Sequence, residues 1–225
     1  HRDLLSCSDR SVPVRSASRY PARAALQKKI VGKKKWKTQD TGTLNKRGKY
    51  KFKDQPTTAQ SRYYRVVVNV GGKVGKVRSP KILVGVYRWQ DLATIKPRDD
   101  RYFTSNDEAK IDTVSYPKSL VGSTWGHTGF IDYNIARKCI ELKARFGLGD
   151  GSDSAATAVI DVLTDNANIY SKSFALTESA ASTLSLRGVF RLKFAFTTTN
   201  PDTDPMYDDM GAQAVVASPK VLCSD

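Results

Sequence analysis

The chain has 225 residues and a formal net charge of +15, from 37 Lys and Arg against 22 Asp and Glu. No apolar stretch approaches the ~20 residues that span a bilayer, which argues against a membrane span. Residues 1–85 carry 22 Lys and Arg against 4 Asp and Glu, whereas residues 86–225 carry 15 against 18. The length allows two ordinary β-domains. We therefore predict a basic domain followed by a nearly neutral one, in a monomeric protein.

Residues 1–11 are rich in polar side chains and predict a loose N-terminal arm. From there to residue 86 the chain contains short strand-like runs, such as AALQKKIV, RYYRVVVNV and SPKILVGV, separated by Gly, Asn and Pro turns. This spacing is typical of an antiparallel β-sandwich. In the run KYKFK at 49–53, alternation places the aromatic rings on one face and the lysines on the other.

The lysines of this basic region suggest a surface for anionic polymers, because clustered cations release counterions from such polymers. They can equally form a solvated face that keeps sheet edges from pairing with other chains. We predict no specific nucleic-acid partner, since no groove-reading motif accompanies the charge. The candidate residues are Lys33, Lys34, Lys35, Lys49, Lys51 and Lys53.

Two stretches of this region, LQKKIVGKKKWKTQDTGTLNKRGKYKF and YYRVVV, carry a family resemblance. They resemble a secreted Ig-like or fibronectin-like β-sandwich repeat of actinobacterial surface proteins. The resemblance covers about residues 12–84. It implies an Ig-like domain at 12–86 that acts as a spacer or adhesion module without catalytic residues.

The second domain, residues 87–225, contains runs of alternating or β-branched residues and no convincing helical period. Such a unit is an all-β sandwich, and its size favours a jelly roll. The predicted strands are 110–114, 119–121, 130–135, 139–146, 155–163, 168–174, 182–186, 190–197 and 212–222.

Cys139 and Cys223 lie in strand-like contexts near the two ends of the second domain, and we predict a disulfide between them. A disulfide implies an oxidising compartment, and hence a secreted or cell-surface protein. No signal peptide is visible, so we expect that any targeting segment has been removed or lies outside this sequence. Cys7 is left over, and no cysteine spacing indicates a zinc site.

Several stretches of the second domain follow one another in a recognisable order: YRWQDL, YPKSLVGSTWGHTGFIDYNIARKCIELKARFGLGDG, AVIDVLTDNANIYS, LRGVFRLKFAFTTT and ASPKVLC. In this order they resemble the novel putative carbohydrate-binding module (NPCBM) family, over about residues 87–223. The resemblance implies a galactose-binding-like β-sandwich that binds glycans. It matches the family's His to His127, its strand Tyr to Tyr133 and one of its loop acids to Asp150.

A glycan site needs an aromatic face for sugar C–H groups and polar groups for hydroxyls, within a shallow rim. Trp125, His127, Arg145, Asp150 and Asp153 can supply these groups if the loops at 122–128 and 147–154 meet. The alternative is structural: backbone groups hold His127, and Trp125 packs at the end of the sheet.

A second acidic cluster lies on a Pro-containing loop before the last predicted strand and consists of Asp202, Asp204, Asp208 and Asp209. Carboxylates this close repel one another unless a cation is near, so calcium is one interpretation of the cluster. A plain solvated loop is the other. We predict no other cofactor.

No nucleophile elbow, His-Glu-x-x-His motif or phosphate loop is present, and we predict that the protein is not an enzyme. The first functional hypothesis is a secreted, non-catalytic bacterial surface protein whose second domain binds a glycan. The alternative hypothesis is a structural or adhesion spacer that binds anionic surfaces electrostatically and has no specific sugar site.

Overall fold

The computed structural model describes residues 22–71, 75–125, 127–201 and 211–224. Sixteen strands and one 3₁₀ turn form the regular structure of these residues, which confirms the predicted all-β class. They contain no helix with the length and apolar character needed to cross a membrane. The chain divides into two compact units, one formed by His1–Tyr87 with Ser224–Asp225 and one by Arg88–Cys223. The predicted boundaries at 11/12 and 86/87 stay predictions.

The first unit contains one antiparallel sheet in its described residues. Its strands are β1 (Arg23–Ile30), β2 (Lys37–Thr43), β3 (Arg62–Gly71), β4 (Gly75–Arg78) and β5 (Ile82–Val84). The strand order is β2-β1-β3-β4, and β5 also pairs with β3. The pairs β1–β2 and β3–β4 join sequence neighbours, and β1 pairs with β3 in the middle of the sheet.

An Ig-like sandwich has two packed sheets, whereas residues 22–71 and 75–87 of the first unit form one sheet. The run KYKFK at 49–53, predicted as a strand, is an irregular segment. Its alternation is right for Phe52, which packs against the small core around Ala24 and Val68, and wrong for Tyr50, which is 41% exposed and contacts the Phe52 ring. Alternation specifies a face, however, and not a hydrogen-bonded partner strand. The predicted arm at 1–11 and Cys7 lie outside the described residues.

The second unit consists of two packed antiparallel sheets, as predicted for a jelly-roll sandwich. One sheet has five strands in the order β13-β12-β15-β10-β7; the other has six, in the order β14-β11-β16-β9-β8, with β6 paired to β16. A short 3₁₀ turn at Leu92–Thr94 follows β6. The strand bounds are β6 (Arg88–Asp91), β7 (Asp99–Arg101), β8 (Phe103–Ile111), β9 (Val114–Gly122), β10 (Thr128–Asn134), β11 (Cys139–Leu148), β12 (Thr157–Thr164), β13 (Ala167–Ala175), β14 (Ser179–Ser185), β15 (Arg191–Thr199) and β16 (Ala214–Cys223).

The core of the second unit lies between its two sheets and is built by period-2 alternation. On β12 every second residue is buried, and on β15 the buried positions include Phe194 and Phe196. Ile160 pairs with Phe196 and Val162 with Phe194 across these strands. Burying a side chain of this size stabilises the folded state by about 1.5–3 kcal/mol relative to leaving it exposed. A register slip of one residue would turn the whole row toward solvent, so the pairing is strongly specified.

The predicted disulfide is present. Cys139 and Cys223 face each other at the first position of β11 and the last position of β16, and both are 4% exposed. The bond joins residues 84 positions apart in the sequence. It therefore closes β11 to β16 into one covalent loop, while β6 to β10 precede the loop.

Four connections of the second unit lie at the same end of the sandwich, which we call the loop end. They join β9 to β10, β11 to β12, β13 to β14, and β15 to β16. The register shows this: Thr157 pairs with both Ala175 and Thr199, while Gly147 pairs with Ser179 and Val215. Thr157 is the first residue of β12, and its partners are the last residues of β13 and β15. Gly147 lies near the end of β11, and its partners lie at the starts of β14 and β16. The loops that leave or enter these strand ends therefore lie together.

Candidate functional site

Trp125 and His127 lie in the β9–β10 connection at the loop end. The Trp125 side chain is 56% exposed, among the highest values for large hydrophobic residues of the described chain, and its backbone N–H donates to Ser123 Oγ at 3.1 Å. His127 is also exposed, and its carbonyl accepts the Thr198 N–H at 2.8 Å. The backbone is thus held by hydrogen bonds on both sides of residue 126, while the indole and the imidazole face solvent.

Asp150 lies in the β11–β12 loop and fastens it to the β8–β9 turn. Its Oδ2 accepts the Thr113 N–H at 2.9 Å, and its own N–H donates to the Lys110 carbonyl at 3.0 Å. Thr113 has φ +65°, an uncommon conformation for a non-glycine residue. The Asp150 carboxylate therefore stabilises a strained turn as well as the loop.

Asp153 ties the same loop to the β15–β16 connection. Its Oδ2 accepts from Asn200 Nδ2 at 2.9 Å, and its N–H donates to the Gly211 carbonyl at 2.7 Å. A side chain at Gly211, where φ is +54°, would collide with the Asp153 carboxylate. Nearby, the Oγ of Ser152 accepts the Gln213 N–H at 2.9 Å. The acids thus hold the loops in one arrangement.

Arg145 belongs to a different surface from the four other predicted glycan residues. On β11 the odd-numbered positions 141, 143 and 145 face away from the core, so Arg145 lies on the outer face of the six-stranded sheet. Its Nη1 donates to Ser179 Oγ at 2.9 Å. The prediction grouped Arg145 with the loop at 147–154 because it is close to that loop in sequence. Strand alternation instead directs its side chain into a shallow groove on the sheet.

Tyr133, which the family resemblance matches to a strand Tyr, lies in the core of the sandwich. Its side chain is 1% exposed, and its hydroxyl has no hydrogen-bond partner among the described residues. Burial raises the pKa of the phenol, and the nearby Asp100 carboxylate raises it further. Tyr133 therefore supports β10 from inside and does not contact a ligand at the surface.

The predicted polyanion-binding lysines are exposed, at two places in the first unit. Lys33, Lys34 and Lys35 follow β1, and Lys49, Lys51 and Lys53 lie on the irregular segment before β3. The acidic cluster of Asp202, Asp204, Asp208 and Asp209 lies outside the described residues. In the part of the chain that is described, no three His, Cys, Asp or Glu side chains come together as metal ligands.

Sequence reasoning missed an aromatic–cationic face on the first unit, made of Lys29, Trp36, Tyr63, Arg65 and Lys81. The Arg65 guanidinium lies 4.0 Å from the Trp36 ring centroid, and Lys81 Nζ lies 4.8 Å from that of Tyr63. Lys29 Nζ approaches both rings, at 5.5 and 5.6 Å. The period-2 spacing of Tyr63 and Arg65 on one strand was the signal that could have found it.

No protein-family model and no curated protein matches the chain. Among solved structures, it is similar to the carbohydrate-binding module CBM51 of Clostridium perfringens GH95 in complex with methyl-galactose, with 12% identity, 60% of this chain and 99% of that chain covered, and a TM-score of 0.48. It is also similar to the CBM51-2 and INT domains of Clostridium perfringens ZmpB. The identity is 10%, the match covers 72% of this chain and 37% of that chain, and the TM-score is 0.48. This chain therefore spans little more than a third of that second structure.

A third similar structure is the carbohydrate-binding module CBM36 in complex with calcium and xylotriose, with 12% identity, coverage of 60% and 98%, and a TM-score of 0.33. Each of these three TM-scores lies below 0.5. The likenesses therefore carry no argument about the function of this chain, which has to rest on its own residues.

Proposed function

We propose that the chain is a non-catalytic glycan-binding protein whose second unit holds a sugar at the loop end, between Trp125 and His127. The observation that carries the proposal is the exposed Trp125 indole next to His127 on a backbone held by Ser123 and Thr198. An indole face accommodates the C–H groups of a sugar ring, and an imidazole can donate to or accept from a hydroxyl.

The fixed arrangement of the loops supports this proposal. Asp150 and Asp153 hold the β11–β12 loop to two neighbouring segments before any ligand arrives. A site whose backbone is already ordered loses less conformational entropy on binding, so weak sugar contacts suffice. In this proposal the two acids position the rim, and Trp125 and His127 contact the sugar.

We also propose that residues 87–223 belong to the NPCBM family and that the protein works outside the cytoplasm. The order of the sequence motifs supports the first part. The buried Cys139–Cys223 disulfide supports the second, because such bonds persist in oxidising compartments.

A screen against a glycan array tests the main proposal. We expect the wild-type chain to bind a restricted set of neutral sugars and His127→Ala to lose that binding while its melting temperature stays the same. Flat signals for every neutral sugar, at protein concentrations that detect weak modules, would overturn the proposal.

A second candidate function is adhesion to anionic polymers through the first unit, and the aromatic–cationic face favours it. Lys29, Arg65 and Lys81 surround two aromatic rings on a sheet face opposite the small core around Ala24 and Val68. Cations held over aromatic faces cluster positive charge on a rigid sheet. Such a surface attracts polyanions by counterion release.

Retention on a heparin column tests this second candidate. We expect Lys29→Ala combined with Arg65→Ala to elute at lower salt than a control in which Lys46 and Arg47, two exposed basic residues away from the face, are both changed to Ala. Equal shifts for the two double variants would show that only net charge matters.

We propose calcium as a ligand of the acidic cluster of Asp202, Asp204, Asp208 and Asp209. A ligand that binds only the folded state raises the melting temperature. Calcium should therefore raise it and EDTA should lower it, and a melting temperature that neither changes would contradict the proposal.

A further inference from the structure

A shallow groove of about 340 Å³ crosses the outer face of the six-stranded sheet, over β9, β16, β11 and β14. Its floor includes Ala181 and Ala217, and the charged side chains on its walls are Lys143, Arg145 and Lys220. A volume of this size lies at the lower end of the range for small-ligand sites. The groove belongs to a sheet face and is separate from Trp125 and His127, so it stands whether or not the loop end binds sugar.

The charge pattern of the groove is one-sided. Lys143 and Lys220 are directly paired across β11 and β16, an arrangement of like charges that destabilises a sheet. Glu141 lies 3.5 Å from Lys143 and Asp91 lies 4.0 Å from Lys220, but neither carboxylate lines the groove. The lining thus contains three cations and no anion, so its positive potential attracts a negatively charged ligand.

The backbone around the groove departs from a regular ladder. The β11–β16 register shifts between Lys143 and Arg145, and opposite this shift Ser218 has φ +42°. The Ser218 N–H donates to Ser119 Oγ at 3.2 Å, and its Oγ donates to the Pro117 carbonyl at 2.6 Å. Side-chain hydrogen bonds thus replace ladder bonds between β9 and β16. A bulge of this kind bends a strand and redirects its side chains.

Two further contacts fix the walls of the groove. Ser179 Oγ holds the Arg145 guanidinium at 2.9 Å, and Lys143 Nζ lies 4.7 Å from the centroid of the Trp89 ring. Tyr116 packs against the small cluster that contains Ala217 and also lines the groove. The groove therefore combines ordered cations with an aromatic and alanine surface.

We propose that this groove binds an acidic sugar residue, whose carboxylate pairs with Arg145 beside the paired Lys143 and Lys220 and whose ring lies on Tyr116 and the alanine floor. A guanidinium has the fork geometry that matches a carboxylate, and the neighbouring ammonium groups add positive potential. The apolar floor suits the C–H face of a sugar ring. An inorganic polyanion offers no such face and gains nothing from that floor.

Oligogalacturonate and its methyl ester are the probes, because they share one backbone and differ in charge. Titration calorimetry on the full chain at about 0.15 M salt should show binding of the acid and none of the ester. Arg145→Ala should weaken binding roughly tenfold, since a hydrogen bond to a charged group is lost. Arg145→Lys should weaken it less, and Lys172→Ala, an equal charge change on the five-stranded sheet, should leave it unchanged.

Three results would overturn the proposal: equal binding of acid and ester, equal effects of Arg145→Ala and Lys172→Ala, or competition by inorganic polyphosphate as strong as by oligogalacturonate. Unchanged melting temperatures establish that the variants are folded, and Arg145→Lys provides a milder change if Arg145→Ala is unstable. Trp125→Ala separates this groove from the loop end, because it should leave oligogalacturonate binding intact.

Discussion

Asp165 shows how one exposed carboxylate closes a turn of the sandwich. Its oxygens accept the backbone N–H groups of Arg191 at 2.8 Å and Phe190 at 3.1 Å. These hydrogen bonds, the one from Arg191 first, lower the pKa of Asp165 below its ordinary value of 3.8. A carboxylate whose pKa is lower in the folded than in the unfolded protein stabilises the fold at pH values above its pKa in the unfolded protein. That stabilisation is lost as the pH falls through its pKa in the folded protein.

This pH dependence gives a prediction for Asp165. Asp165→Asn should lower the melting temperature at pH 7, and the gap between variant and wild type should narrow as the pH falls below 3.8. Thermal unfolding followed by circular dichroism at several pH values measures the gap. A gap that widens toward acid would contradict the assignment.

Tyr133 is the opposite case, a buried phenol whose hydroxyl has no partner among the described residues. Tyr133→Phe removes that hydroxyl, and we expect it to leave stability unchanged or to raise it by about 1 kcal/mol at neutral pH. Because the pKa of Tyr133 is higher in the folded than in the unfolded protein, the neutral phenol favours folding below pH 10. This contribution to stability is lost as the pH rises from 10 toward the pKa in the folded protein.

Urea unfolding at pH 8 and at a pH above 10 tests both parts of the Tyr133 prediction. The variant should lose less stability than the wild type between the two conditions. A loss of several kcal/mol on Tyr133→Phe at pH 8 would instead show that the hydroxyl contributes a hydrogen bond.

The disulfide acts at the scale of elements, because it joins the first residue of β11 to the last residue of β16. In the chain-entropy model, a loop of this length gains up to ~4 kcal/mol from closure. The double variant Cys139→Ser, Cys223→Ser should lower the free energy of unfolding by an amount up to this value. Cys7→Ser is the matched control and should have no effect; equal stability of all three proteins would contradict the prediction.

The strands that were predicted best from the sequence are those with one apolar face. The run predicted at 139–146 corresponds to β11, and the one at 155–163 to β12, with bounds displaced by about two residues. The hairpin of β8 and β9 was mostly missed, because five consecutive residues of β8 are exposed and give no alternation. Polar strands are held by their partners' hydrogen bonds, which composition does not reveal.

The candidate site was predictable in residue type more than in arrangement. Trp125, His127, Asp150 and Asp153 lie in two loops that register brings to one end of the sandwich. The structural roles of the two acids depend on Thr113 and Asn200, which are 37 and 47 residues away in sequence. No local pattern specifies such pairs.

At the scale of the whole molecule, the uneven charge predicts two kinds of binding that salt should separate. Screening weakens the attraction between exposed charges, since the Debye length falls from about 10 Å at 0.1 M to about 3 Å at 1 M. Retention on heparin should therefore disappear as salt rises, while binding of a neutral sugar at the loop end should change little. Affinity measured for both ligands across a salt series tests this difference. Parallel loss of both would mean that one electrostatic surface accounts for all binding.

The central claim is that the exposed indole at the loop end contacts a sugar ring. The most direct test is titration calorimetry of the best neutral sugar from the array against wild type, Trp125→Ala and Trp89→Ala, the last being a second exposed tryptophan, 38% accessible, on β6. We expect Trp125→Ala to abolish measurable binding and Trp89→Ala to bind like the wild type. Wild-type affinity in Trp125→Ala would contradict the claim.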